Sequence, residues 1–385
     1  MMKKIRYLIV FALIMAFASS VSHAQDKIID ESIPALSYDT KLTKEEFYSK
    51  TREVKETPSG DEYLAYHVRL PQDWTEVSGR SPQSEDLSSK LLGEVVRFVS
   101  PPEIDKRALF TIRAMKMEYL ISTKNWFLNF IKTNGYSIEG MDASNENKVL
   151  AEYVVFKENV SYLVRAVAQR NGNRMVLAEY MIPPGMPGDA MGMQKWSILT
   201  FGLENRDPAP PIELQKLPLL DVAAFYYPSD WMAMPTNDKS LEKMKISLLK
   251  VSDNPVKEKR DKEAKLQDGA ISTYYYDKKS HPDIAEKLSV VKEALKEKNM
   301  TPGQELLQIE RKERSSAYKY HPMKAFEVDI TEGRYIDYEY WVTYTESPGA
   351  YMIVTLVTPA RDTDFLEWSK NISAFSLVAD SFTMM

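Results

Sequence analysis

Apolar and polar residues alternate over Tyr66-His67-Val68-Arg69-Leu70, and the run stops at Pro71-Gln72-Asp73-Trp74. The arrangement returns as Ala224-Phe225-Tyr226-Tyr227 before Pro228-Ser229-Asp230-Trp231. Period-two alternation marks a half-buried strand, and proline, which has no N–H to give, ends the ladder. The chain therefore writes a strand and a Pro-x-Asp-Trp turn twice.

After the first turn the pattern predicts strands over 94–99 and 108–115, the latter alternating Leu109, Thr111 and Arg113 with Phe110, Ile112 and Ala114. Ser122 suits the N-cap of a helix that gathers Trp126, Phe127, Phe130 and Ile131 on one face, and Gly135 suits its stop. Strands over 148–156, 162–169 and 175–182 follow, with Asn171-Gly172 supplying the positive φ of a tight hairpin. A helix around Gln194-Lys195-Trp196-Ser197 closes the unit. The second copy repeats this order: strands over 245–251 and 270–276, then a helix with Pro282 in its first turn, where Ile284, Leu288, Val291 and Leu295 share a face. Strands over 323–330, 335–344 and 351–358 and a helix bearing Glu367-Trp368-Ser369-Lys370 complete it. Lys195-Trp196-Ser197 and Glu367-Trp368-Ser369 form a second anchor of the repeat.

These signals divide the chain into a leader over 1–24, a polar extension over 25–60, a first module over 61–204, a Pro-rich spacer over 205–219 and a second module over 220–385. A length of 385 residues suits two domains of ordinary size. The extension is expected to be partly mobile, with one helix from Lys44 to Val54 opened by a Thr43/Glu46 capping box. Asp207-Pro208-Ala209-Pro210-Pro211 should be a stiff, extended spacer. The later copy is longer, and its insertion from Val256 to Lys265 carries the mixed charges of a solvated loop or exposed helix. Residues 65–204 and 220–380 are expected to superimpose.

Lys3, Lys4 and Arg6 precede the apolar run Tyr7 to Phe17, and small residues follow to Ala24. That is the layout of a Sec signal peptide cleaved after Ala24, on a run too short for a comfortable membrane span. The expected location is the periplasm of a Gram-negative bacterium, or the medium. Absence of cysteine excludes disulfides, thiolate metal sites, a cysteine nucleophile and a lipoprotein anchor. A net charge of -5 without a basic stripe argues against nucleic acid and anionic lipid as partners. With 44% hydrophobic and 11% aromatic residues the chain is expected to fold, and the mature part holds no apolar run of membrane-spanning length.

A strand ending in proline, a Trp just beyond it, further strands, an amphipathic helix, three meandering strands and a last helix resemble the Mog1/PsbP-like fold. The resemblance covers about 65–204 and 220–380, and the DcrB-like proteins of bacterial envelopes share the leader and the want of an evident active site. It implies an α+β fold in which each module is an antiparallel sheet packed by helices. It also implies an accessory or binding role, and transfers no catalytic residue.

Chemistry is sparse. His67, His281 and His321 stand in no ligand spacing, so neither metal nor cofactor is expected. The run Gly185 to Gly192 lacks the Gly-Lys-Ser/Thr ending of a phosphate loop, and its counterpart Pro359 to Asp364 has no glycine; a capped helix start explains both. Asp337 and Glu339 fall on one side of a strand with Trp341, where a wet sheet face explains them better than an acid/base pair. No Gly-x-Ser-x-Gly elbow or Ser-x-x-Lys is present, so no enzyme is expected. Tyr274, Tyr275, Tyr276, Tyr335, Tyr338, Tyr340, Trp341, Tyr344 and Tyr351 are many rings for one side of a small sheet. Tyr338, Tyr340, Trp341 and Tyr344 are accordingly the candidate interaction surface for an envelope protein. The expected function is non-catalytic binding or assembly, with carriage of a lipid or other apolar ligand as the alternative and hydrolysis a less favoured one.

Overall fold

The computed structural model describes residues 33–77, 87–101, 107–157, 159–186, 188–250, 268–330 and 336–385. The leader, the insertion 256–265 and Tyr335 lie outside the described residues.

Helix α1 (Lys44–Lys50) opens with the expected capping box: the Thr43 hydroxyl accepts from the Glu46 N–H, and the Glu46 carboxylate accepts from the Thr43 N–H. It stops at Lys50 instead of Val54, because strand β1 (Thr51–Glu56) pairs antiparallel with β2 (Tyr66–Pro71). Thr51 and Val54 are both buried, and their spacing of three suits a helix or a twisted strand equally; the ladder to β2 decides.

Each module carries one large antiparallel sheet. In the first, β3 (Thr75–Glu76), β4 (Gly93–Val99), β5 (Leu109–Lys116), β6 (Ser137–Asn145), β7 (Lys148–Lys157), β8 (Val160–Asn171) and β9 (Arg174–Ile182) lie in the order 3-4-5-9-8-7-6. β10 (Gly202–Leu203) joins β1 and β2 in a small second sheet. The second module builds its small sheet from β11 (Leu214–Leu219), β12 (Ala223–Pro228) and β21 (Thr383–Met384). Its large sheet takes β13 (Trp231–Lys239), β14 (Lys243–Lys250), β15 (Ala270–Asp277), β16 (Met300–Ile309), β18 (Met323–Ile330), β19 (Tyr338–Glu346) and β20 (Ala350–Pro359) in the order 13-14-15-20-19-18-16, with β17 (Lys319–Tyr320) on β19. The two orders match position for position. Trp74 and Trp231 occupy the same place, beside the edge strand, and both are buried.

Besides β1, four strands of real length escape the sequence pattern. β6 and β16 are sheet edges with register shifts at Ile138/Gly140 and Pro302/Glu305, and a bulged, half-solvated edge does not alternate. β13 is likewise an edge with a shift between Pro235 and Lys239. β11 occupies the end of the expected spacer, and Asp207 within that spacer pairs with Arg174 at 3.1 Å, so both ends are tied down.

Helices α2 (Thr123–Asn134) and α3 (Ala190–Thr200) cover opposite faces of the first sheet. Trp126 and Phe127 pack with Val164, Ala166 and Ala168, whereas Ile198 packs with Val167, Val176 and Ala178. Helices α4 (Ile284–Lys296) and α5 (Phe365–Asp380) do the same for the second sheet. Asp283, not Pro282, heads α4: it accepts from the N–H groups of Ala285 and Glu286, placing the proline one residue outside. Gly135 ends α2 at φ 66, a left-handed conformation that glycine adopts without strain. The modules meet helix to helix: Leu128 of α2 lies in the second module's core, Leu366 of α5 packs on the first's, and the Lys370 ammonium sits 4.3 Å from the Tyr119 ring. Among the described residues no helix is long and apolar enough to cross a membrane.

Candidate binding cleft on the first module

The rings expected on a wet face are in the core. Tyr338, Tyr340 and Trp341 are buried, and Tyr344 is half-buried with its ring stacked 3.7 Å from that of His321. The expectation of one packed and one wet face fails because a helix covers each: Tyr338, Tyr340 and Tyr344 lie in the core beneath α4, and Trp341 in the core beneath α5. Glu339 is buried too, accepting from the indole N–H groups of Trp341 at 2.9 Å and Trp368 at 2.7 Å and from the Arg361 N–H at 3.0 Å. Asp337 is exposed ahead of β19, so the two acids form no pair.

The first module buries a carboxylate of its own. Glu179 takes the Arg113 Nε at 2.8 Å and the Tyr153 hydroxyl, and burial beside that charge pushes the Tyr153 hydroxyl well above its ordinary value. These donors hold the core together. His67 bonds Glu204 on the outside of the small sheet, His281 meets the Tyr276 ring edge-on, and no metal-holding group of three ligands occurs among the described residues.

An open cleft lies at the start of α3. Its cavity of about 750 Å³ is walled by Asp39 to Leu42, Glu46 and Lys50 on one side and by Asp189, Met191 and Lys195 on the other. A second cavity of about 320 Å³ adjoins it, sharing Gly188 and Met191, and offers Tyr162, Leu163, Pro183, Pro184 and Met186. Gly188 to Met191 thus form the ridge between two hollows. Asp189 stands at the N-cap of α3 without capping it, because its carboxylate pairs with Lys50 at 3.0 Å. Lys195, almost fully buried, donates to the Asp39 carbonyl at 2.5 Å. Lys50, Asp189 and Lys195 are therefore engaged, Lys41 is exposed on the wall, and the apolar surface is thioether and ring: Met191 is 47% exposed, and Met186 and Tyr162 line the second hollow. Methionine adapts its shape to an apolar side chain, so the cleft suits an aliphatic or aromatic group flanked by polar atoms.

The wall at Asp39 to Leu42 belongs to a non-helical segment, Pro34 to Leu42, laid across the α3 face of the sheet with one bridge at Ala35 and a bend at Lys41 and Leu42. Ala35 forms a parallel bridge with Met141, whose N–H donates to the Pro34 carbonyl at 3.0 Å. The Tyr38 hydroxyl donates to Asp142 at 2.5 Å. No pattern in the sequence marks this segment, since only Leu36 and Leu42 of it are buried.

No protein-family model and no curated protein sequence matches the chain. Among solved structures it is similar to PsbP (CyanoP) of Synechocystis sp. PCC 6803, at 17% identity and a TM-score of 0.28 over 48% of this chain and 99% of that one. The Ran-binding protein Mog1p of Saccharomyces cerevisiae is similar at 8% identity and a TM-score of 0.29, over 45% and 95%. The type VI secretion immunity protein TplEi of Pseudomonas aeruginosa is similar at 9% identity and a TM-score of 0.22, over 87% and 98%. The chain is an α+β protein of two modules, each an antiparallel sheet packed by helices, with Mog1/PsbP-like neighbours.

Proposed function

We propose that the chain is a non-catalytic binding protein of the bacterial envelope, exported by its leader, that holds a partner protein at the cleft of the first module. The observation that supports this is the pair of adjoining hollows of about 750 and 320 Å³, with methionine, proline and ring surface inside and a paired Lys50 and Asp189 at the rim. Charges that satisfy one another add little net affinity, whereas desolvated apolar contacts at the centre of a patch add most of it. Both hollows open to solvent, which suits a protruding side chain of a protein better than a lipid held away from water.

A photo-crosslinking residue placed at Met191 of the full chain, in its host, is expected to join one discrete envelope protein. The same residue at Val290, exposed on α4 of the other module, should not. Equal adducts at both positions, or none at Met191 together with a retained small-molecule mass in native mass spectrometry, would overturn the proposal in favour of a carrier. N-terminal sequencing of the recovered protein should start at Gln25; an intact Met1 would remove the export part of the proposal.

A further inference from the structure

We infer that the face beneath Pro34 to Leu42 is a groove that reads extended polypeptide, that this segment is its occupant in cis, and that an extended segment of the partner takes its place. The inference rests on the binding role of the first module, and its groove adjoins the cleft, because Asp39 to Leu42 fill the one and wall the other.

Apart from the Tyr38 hydroxyl on Asp142, the bonds that hold the segment go to its backbone. Arg165 of β8 donates to the Ser37 carbonyl at 2.7 Å, Lys195 of α3 to the Asp39 carbonyl at 2.5 Å, and the Trp196 indole to the Leu42 carbonyl at 2.9 Å. With Met141 on the Pro34 carbonyl this makes four donors along nine residues, none of which depends on the side chain it serves. The side chains of Ser37, Asp39 and Lys41 are exposed, that of Tyr38 reaches Asp142, and Leu36 and Leu42, six residues apart, are the two that are buried. The floor is cut to let a backbone come close. A Cβ on Gly140 would stand 3.3 Å from the Leu36 Cα, and one on Gly192 would stand 2.6 Å from the Thr40 hydroxyl and 2.7 Å from the Leu42 Cβ.

The second module shows what the same fold does without a peptide. Trp368, the counterpart of Trp196, gives its indole N–H to Glu339 inside its own core, and the position of Lys195 is held by an acid, Glu367. That module closes on an internal carboxylate; the first closes on peptide carbonyls. Emptying the groove would strand donors that are buried: Arg165, 0% exposed, would keep Glu152 but lose Ser37, and its Nε has no partner among the described residues. A buried donor without an acceptor is costly, so the groove favours exchange of one extended segment for another over vacancy. The occupant it fits has an extended backbone and two aliphatic side chains six residues apart.

The test uses the full chain and a fluorescent synthetic peptide of residues 33–43. Leu36→Asp removes one anchor, and release of the segment is read as loss of hydrogen-exchange protection at the Met141 amide. Leu42→Asp, which removes the other buried anchor and leaves the floor open, serves as the second released variant if the first misfolds. The peptide should bind a released variant at least about tenfold more tightly than the wild type, whose groove is filled. A scrambled peptide that keeps the two leucines should compete within about threefold, and one with both replaced by serine should not compete. Adding Trp196→Phe, which removes one donor, should weaken binding by roughly five- to tenfold. Failure of the peptide to bind a chain whose Met141 amide has lost protection overturns the inference, as does equal binding to the wild type. Crosslinking at Met191 reads the cleft separately: adducts that persist while the peptide fails leave the binding role standing and remove the groove.

Discussion

Tyr38 and Asp142 show how one bond shifts two titrations in opposite directions. Burial and the neighbouring carboxylate push the Tyr38 hydroxyl up to about 12 from its ordinary 10.0, while the hydroxyl's hydrogen bond holds Asp142 below its ordinary 3.8. For the tyrosine the folded value is the higher one, so its contribution is complete below pH 10.0 and is lost as pH rises through about 12. For the aspartate the folded value is the lower one, so its contribution is present above 3.8 and is lost as pH falls through the folded value. Protection of the Met141 amide should therefore fall at both extremes, and Tyr38→Phe should flatten the alkaline limb; hydrogen exchange across pH measures this. Neither residue could be paired from sequence, because they stand 104 positions apart.

At the scale of elements, the Pro-x-Asp-Trp turns fasten each small sheet to its large one. Trp74 packs its ring 4.9 Å from that of Tyr180, and Trp231 lies in the core with Phe225 and Trp368. Truncation of either to Ala leaves a large void and is expected to cost about 3–5 kcal/mol of unfolding free energy, read by denaturant titration. The equality of the two losses is the informative part: turns that do the same work should fail alike. The strands flanking these turns were legible because each alternates before a proline. The edge strands β6, β13 and β16 were not, since bulges and one-sided burial erase the period on which such a reading depends.

At the scale of the molecule, the two modules are fastened by α2 against α5. Leu128 is 1% exposed in a core whose other fully buried members belong to the second module, with Ile138 and Met141 of β6 packed beside it, and Lys312 reaches Glu146 at 2.7 Å at the periphery. The exposed ion pair contributes little, and the apolar contact contributes most. The chain is expected to unfold in one calorimetric transition, and Leu128→Asp should split it into two by placing an unpaired charge in that contact. Lys312→Ala should leave a single transition.

The order of elements, the class of fold and the sites of both turns follow from the sequence alone, because period, proline and caps act over a few residues and act the same wherever the chain goes. Which faces are wet does not. Tyr338, Tyr340 and Trp341 looked like surface because the rings were too many for one packed side of a small sheet, and only the arrival of α4 and α5 from opposite sides put them in the core. The cleft and the groove were invisible for the converse reason. They are made by Pro34 to Leu42 meeting Arg165, Lys195 and Trp196, residues more than a hundred positions away, and the bonds end on backbone carbonyls that carry no sequence signature.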